Sequence, residues 1–361
     1  MERVYNFSSG PASVDESILN ILKDNMLNCM GSGMSILEMN HKSEFFGDII
    51  NQTSELIRKL MNISDEYDIV YVSGGGSMQF SMIPLNLMGL NHKADYIDTD
   101  YWTNYAIEEA RKVGDVRIIA SSREREYSYV PKVDKVMTNT DSDYVYLCTN
   151  NTASGSAYRP YKIPETNSPL VADMTSNFMS ENYDINKFGL VFAAAQKNLG
   201  PAGLTIVIIR KDLLKFSNVE KIPRILCYDE YVKTNSTFST PATFSIYMVL
   251  EVLKWVDNMG GIAQMSENNK YKSKLLYDYI DNSKLFHNYV CEEDRSIMNV
   301  VFTTNDESLD KDFALKAAQN SLVNLSGYQG IGGLRAGIYN GVSKKAVEEL
   351  IKFMKDYEKR V

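Results

Sequence analysis

Residues 203–209, Gly-Leu-Thr-Ile-Val-Ile-Ile, are almost wholly apolar and β-branched. A run without polar alternation must be buried on both faces, which places it inside a sheet covered by helices on each side. Similar short runs recur at 68–72, 95–98, 116–120, 144–148, 170–173 and 190–193. Helical stretches over 78–87 and 104–113 alternate with them. The alternation predicts an α/β fold with a mostly parallel sheet sandwiched by helices.

The two ends of the chain read differently. Asn6-Phe-Ser-Ser-Gly-Pro11 is a small-residue turn. Ser13 and Glu16 then have capping-box spacing, with Ile18, Leu19, Leu22 and Met26 following at helical intervals. A helix over 244–258 stops at Met259-Gly260-Gly261, a candidate hinge. Beyond it the pattern predicts a helix over 262–281, a strand over 297–302, a helix over 309–320 and a strand-loop over 332–339. A last helix starts near Ser343 and carries Val347, Leu350, Ile351 and Met354 on one face. The chain of 361 residues is long for one simple core. We expect a large α/β domain over 16–258 and a smaller α+β domain made of 1–15 plus 259–361, since chain termini often lie close together.

Composition narrows the function. A net charge of -8 disfavours general nucleic-acid binding, which needs a basic field, and no basic amphipathic stretch suggests a membrane surface. No apolar run reaches membrane-spanning length, and the N-terminus shows no signal-peptide pattern, so a cytoplasmic location is expected. Cys29, Cys148, Cys227 and Cys291 are far apart and read as reduced thiols, and with His41, His92 and His287 equally scattered no metal site is expected.

The remaining polar residues suggest a cofactor. Lys197 lies among small residues in Ala193-Ala-Ala-Gln-Lys-Asn-Leu-Gly-Pro201, between two expected strands. Read alone it could be a surface lysine. Asp173 ends an apolar strand 24 residues earlier, where an acid can equally be a helix cap. Gly74-Gly-Gly-Ser77 joins a strand to a helix, where glycine lets the backbone approach a phosphate and the helix start offers free N–H groups. Trp102, in a βα connection, could be core or could stack on a planar ring. Pyridoxal 5'-phosphate (PLP) requires a lysine, a carboxylate at its pyridine nitrogen, a phosphate cradle and a flat cover, and this chain offers a candidate for each.

At these residues the sequence resembles the phosphoserine aminotransferases, PLP-dependent enzymes of class V and fold type I. The resemblance runs from Asn6 almost to the C-terminus. It rests on Asn6–Pro11, Gly74–Gly76, Tyr101-Trp102, Asn151-Thr152, Val171–Asp173, Ala195–Gly203 and Arg335–Asn340. It implies Lys197 as the Schiff-base lysine with Gln196 beside it, Asp173 at the pyridine nitrogen and Trp102 stacked on the ring. It implies Thr152 at the phenolic-oxygen side and Gly76 and Ser77 at the phosphate. Ser239 and Thr240 would reach the cofactor phosphate of a neighbouring subunit, implying a homodimer with shared active sites. Ser9, His41, Lys42 and Arg335 would bind substrate, Arg335 through the substrate carboxylate. The implied reaction, part of serine biosynthesis, moves the amino group of glutamate to 3-phosphohydroxypyruvate, giving phosphoserine and 2-oxoglutarate.

Four places depart from the family pattern. His41-Lys42 and Tyr328-Gln329 each stand where His-Arg is usual. Ser77 stands where some members carry arginine, and Ser239-Thr-Pro-Ala242 where Asn-Thr-Pro-Pro is usual. Lysine binds phosphate as a point charge without arginine's fork. A transaminase acting on another, unphosphorylated keto acid is therefore the alternative reading. A cysteine desulfurase is disfavoured because the loop over 324–332 holds no cysteine, and a fold without catalysis because both Lys197 and Asp173 are retained.

Overall fold

The computed structural model describes residues 3–216 and 222–361. Met1 and Glu2 of the expected arm, and residues 217–221 of the expected large domain, lie outside the described residues. In chain order the first elements are β1 (Tyr5–Asn6), α1 (Glu16–Asp24), α2 (Glu44–Met61), β2 (Tyr67–Ser73), α3 (Gly76–Leu87), β3 (Lys93–Asp98), α4 (Tyr101–Ala110) and β4 (Asp115–Ser121). Next come β5 (Tyr144–Cys148), β6 (Leu170–Asp173), β7 (Leu190–Ala194), β8 (Leu204–Arg210), α5 (Tyr228–Lys233), α6 (Thr243–Asn258) and α7 (Gly261–Asn282). The chain closes with β9 (Asn299–Phe302), α8 (Glu307–Gln319), β10 (Leu322–Val323), β11 (Leu334–Gly337) and α9 (Lys344–Glu358).

The central sheet has seven strands in the order β2-β8-β7-β6-β5-β3-β4. The pairs from β4 through β7 are parallel, and β8 runs antiparallel to both β7 and β2. Side chains in a strand alternate between faces. In β8, Leu204, Ile206 and Ile208 join an apolar layer with Ile49 and Ile57 of α2 and Leu250 of α6. Val207 and Ile209 join the opposite layer with Ile83 of α3 and Ala106 of α4. Each face thus has its own helical cover, which is why the run shows no polar alternation.

Two local expectations change. The first turn of α1 is capped by Asp15, which accepts from the Ser17 N–H, rather than by a Ser13–Glu16 box. Helix α2 is not among the expected elements, yet its signals are ordinary. Ser43 accepts from the Phe46 N–H at its start, and Phe46, Ile49, Ile50, Ile57 and Met61 form its buried stripe.

A third apolar cluster joins Phe7 to Leu276 and Ile280 of α7, Val300 and Phe302 of β9, Ala336 of β11, and Leu350 and Met354 of α9. β1 pairs with β10 (Tyr5 opposite Leu322), and β11 pairs antiparallel with β9, setting Arg335 opposite Val301. Gly260 and Gly261 turn α6 into α7 with φ of 98° and 72°, conformations that side chains resist. Among the described residues no helix is long and apolar enough to cross a membrane.

Candidate active site

The parallel strands end at one edge of the sheet, where their connecting loops converge on a cavity of about 520 Å³. The turn after β2 supplies Gly75, and the first turn of α3 supplies Gly76 and Ser77. α4, which follows β3, supplies Trp102, and the loop after β5 supplies Thr152. Asp173 stands at the tip of β6, and Gln196 and Lys197 follow β7. Ser9 from the N-terminal arm and Arg335 from β11 close the opposite side.

Thr152 is central to the geometry. Lys197 Nζ donates to Thr152 Oγ1 at 2.9 Å, and Arg335 Nη1 donates to the Thr152 carbonyl at 2.9 Å. Asp173 Oδ1 accepts from the Thr175 N–H at 2.8 Å, and Thr175 Oγ1 accepts from the Ala194 N–H at 3.2 Å, tying β6 to β7. The bond to Thr175 is the local type an acid at a strand tip commonly makes, and it leaves Asp173 facing the cavity. Trp102 is half-buried, packed on the edge of the apolar layer beneath it while also facing the cavity. Tyr328 stands edge-on to Trp102, ring centres 6.1 Å apart, with the Arg335 guanidinium 5.8 Å from its ring centre.

Burial dominates the electrostatics. It lowers the Lys197 amine to about 8, against the pull of Asp173 toward the charged form. It raises the Asp173 carboxyl, opposed by the Thr175 hydrogen bonds and by Lys197. It lowers Arg335 somewhat, although Tyr339 and Asp100 favour its charge. A lysine that sheds its proton this readily is a potential nucleophile and proton carrier.

The residue set fits PLP. Asp173 is a buried carboxylate that forms no ion pair at contact distance among the described residues, and a ring-nitrogen cation would satisfy it. Gly75 caps α3 without a side chain, leaving first-turn N–H groups for a phosphate. Ser9 Oγ and Gln196 Oε1 are buried in the wall without a hydrogen-bond partner among the described residues, as expected of atoms awaiting a ligand.

The aminotransferase class-V family profile matches residues 4–350. The chain belongs to the class-V aminotransferases. Its cofactor is accordingly pyridoxal 5'-phosphate. The chain is 47% identical over 359 residues to phosphoserine aminotransferase of Bacillus thuringiensis subsp. konkukian (strain 97-27), covering 99% of each. Its fold matches phosphoserine aminotransferase from Bacillus circulans subsp. alkalophilus with a TM-score of 0.96 at 37% identity, covering 100% of this chain and 99% of that one. The match to PLP-bound phosphoserine aminotransferase from Trichomonas vaginalis has a TM-score of 0.92 at 34% identity, covering 98% and 100%.

Not every expected site residue of this aminotransferase lines the cavity. His41 and Lys42 lie in the turn before α2, where the Lys42 N–H donates to Asn40 Oδ1. Ser239 and Thr240 lie just before α6. None of the four is part of the cavity wall of a single chain. Conversely, sequence reasoning missed Asn150, Thr175 and Ser176. Asn150 Nδ2 donates to Ser176 Oγ at 2.7 Å and to Asn299 Oδ1 at 2.8 Å, joining the loop after β5 to β9. The available signal was the polar run 149–152 directly after an apolar strand.

Proposed function

We propose that this class-V aminotransferase transfers the amino group of glutamate to 3-phosphohydroxypyruvate, giving phosphoserine and 2-oxoglutarate in serine biosynthesis. The observation that carries the reading is that Lys197 and Arg335 share one residue, Thr152, in a cavity whose floor holds Asp173. Phosphoserine aminotransferases as relatives along the whole chain support the choice of substrate.

When bound, PLP supplies an electron sink for the charge left on the substrate α-carbon. Lys197 Nζ would hold the cofactor at rest and, when free, would take the substrate α-proton as a base and pass it to the cofactor carbon as an acid. Its lowered proton affinity suits a base that works near neutral pH. Asp173 would favour a protonated ring nitrogen by its negative charge, and Trp102 would cover the ring. Gly76 and Ser77 would hold the phosphate, Thr152 would serve the phenolic-oxygen side, and Gln196 and Ser9 would bond at the cavity wall. Arg335 seats the carboxylate of both substrates with a planar fork.

We further propose a cytoplasmic homodimer with shared sites. Ser239 and Thr240 would reach the partner's cofactor phosphate, and His41 and Lys42 would supply positive charge for the substrate phosphate. Their place outside the cavity of their own chain suits such a role. We also propose the division into 16–258 and 1–15 plus 259–361, which the separate apolar cluster around Phe7 and α7 to α9 supports.

A half-reaction screen tests the function. The PLP-loaded enzyme is mixed with glutamate, phosphoserine, serine or alanine, and loss of the resting cofactor absorbance is followed. Rapid loss with glutamate and phosphoserine is expected. Loss with serine or alanine but not phosphoserine would favour a transaminase of unphosphorylated keto acids.

A further inference from the structure

Asp100 is fully buried, and among the described residues it forms no ion pair at contact distance. Burying a carboxylate in this way is costly, so its place calls for a reason. Its two oxygens serve two different loops. Oδ1 accepts from the Tyr101 N–H at 2.9 Å and closes the first turn of α4, which carries Trp102. Oδ2 accepts from the Ala153 N–H at 3.3 Å, in the loop after β5. Ala153 directly follows Thr152, on which both Lys197 and Arg335 rest.

We propose that Asp100 is a positioning residue for the transamination, clamping the Trp102 turn to the Thr152 loop so that Trp102, Lys197 and Arg335 are held as one unit. The proposal deepens the functional reading above and rests on its assignment of Lys197 to the cofactor and Arg335 to the substrate carboxylate.

Charge follows the same geometry. Burial pushes the Asp100 carboxyl up to about 6, while its two backbone hydrogen bonds and the positive charges of Lys197 and Arg335 pull it back. Tyr289 and Tyr328 also face it, and its charge makes both harder to ionise. Lys197 in turn faces Asp173, Cys148, Arg335 and Asp100. Removing the charge of Asp100 therefore removes one of the groups that keep the Lys197 amine protonated.

The test uses the full chain in cofactor-free and PLP-loaded forms. Asp100→Asn keeps the size and loses the charge. Asp100→Ser keeps a short cap for Tyr101 and cannot reach Ala153. Asp306→Asn is the control, because Asp306 caps α8 through the N–H groups of Ser308 and Leu309 and does not line the cavity. In the cofactor-free protein, acylation of Lys197 is followed against pH by mass spectrometry. In the loaded enzyme, kcat and KM are measured for glutamate.

For Asp100→Asn the acylation midpoint should move down by about half a pH unit. kcat should fall about tenfold, and KM should rise severalfold as the Arg335 seat loosens. Asp100→Ser, which also loses the charge, should show the same fall in midpoint and the same rise in KM, and it decides the matter if the asparagine variant does not fold. Wild-type midpoint and KM in a folded Asp100 variant would overturn the proposal. So would changes no larger than those of Asp306→Asn. Borohydride reduction of the loaded wild type is the separate check on Lys197 itself. Failure to fix PLP there removes the functional assignment, whereas Asp100 is judged on the cofactor-free midpoint.

Discussion

Lys197 donates to the hydroxyl of Thr152, while Arg335 donates to that residue's carbonyl. The first bond depends on the side chain and the second on the backbone. Thr152→Val should therefore disturb Lys197 and leave the Arg335 seat in place. A lost hydrogen bond of this kind is worth about 1 kcal/mol, or roughly fivefold in kcat. KM for glutamate should hardly change, and Thr152→Ser should restore the rate. Equal losses in kcat and KM would mean that the hydroxyl supports the whole loop instead.

The loading of PLP onto cofactor-free protein should depend on pH through Lys197. Only the unprotonated amine attacks a carbonyl, and burial brings that amine down to about 8. Below that value the loading rate should climb about tenfold per pH unit, and above it the rate should level off. Stopped-flow absorbance measures the rate, and a plateau reached only near pH 10 would show an ordinary exposed lysine. Lys197→Ala should fold but fail to retain PLP after borohydride treatment.

Asp173→Asn tests the charge at the tip of β6. Its carboxylate is buried and accepts from the Thr175 N–H, a bond that asparagine can keep through its carbonyl. What asparagine cannot do is hold a proton on the ring nitrogen by charge. Loss of about two orders of magnitude in kcat, with PLP still bound, is the expected outcome. Turnover near that of the wild type would leave Asp173 with only its local bond.

The sheet was legible because its inner strands β5 to β8 are buried on both faces, and β5 and β6 begin and end where the runs 144–148 and 170–173 do. Lys197, Asp173, Thr152 and Arg335 were legible because the resemblance carried their positions; the ends of parallel strands bring the first three to the cavity, and Arg335 reaches it from β11 of the separate two-stranded sheet. Helix α2 was passed over despite its capped start and apolar stripe. Asp100 and Asn150 were invisible for another reason. An acid beside Tyr101-Trp102 looks like an exposed cap, and an asparagine in a polar run looks like a turn. Only packing reveals that both are buried and bonded across loops.

Assembly is the next expectation. A site that borrows Ser239 and Thr240 from a neighbour needs a twofold dimer. Sedimentation at assay concentration should give twice the chain mass. Mixing inactive Lys197→Ala chains with chains carrying Ser239→Ala and Thr240→Ala should restore part of the activity, because one site in each mixed dimer is intact. A fully active monomer would remove the shared-site proposal.

Substrate choice turns on the loop that carries Tyr328. Its ring lies between Trp102 and Arg335, and Gln329 beside it is exposed, so neither residue brings a positive charge to the cavity. Among the described residues lining that cavity, Lys197 and Arg335 are the basic ones. Arg335→Leu should raise KM for both glutamate and the keto acid, since each presents a carboxylate to it. On the shared-site proposal a distal phosphate would be held mainly by Lys42 and His41, and a tyrosine hydroxyl would add a neutral hydrogen bond weaker than a charge-assisted one. The wild type should therefore prefer phosphoserine over serine, but by a narrower margin than a site furnished with His-Arg at this loop. Tyr328→His combined with Gln329→Arg should widen the margin by about tenfold or more, the worth of one added charge-assisted contact of roughly 1.5–3 kcal/mol. The ratio of kcat/KM for phosphoserine over serine, before and after the double substitution, is the measurement. A wild-type ratio near one would count against phosphoserine and in favour of an unphosphorylated partner. If instead the ratio is high from the start and the double substitution leaves it unmoved, the phosphate is held elsewhere, and charge-removing substitutions at Lys42 and His41 become the place to look.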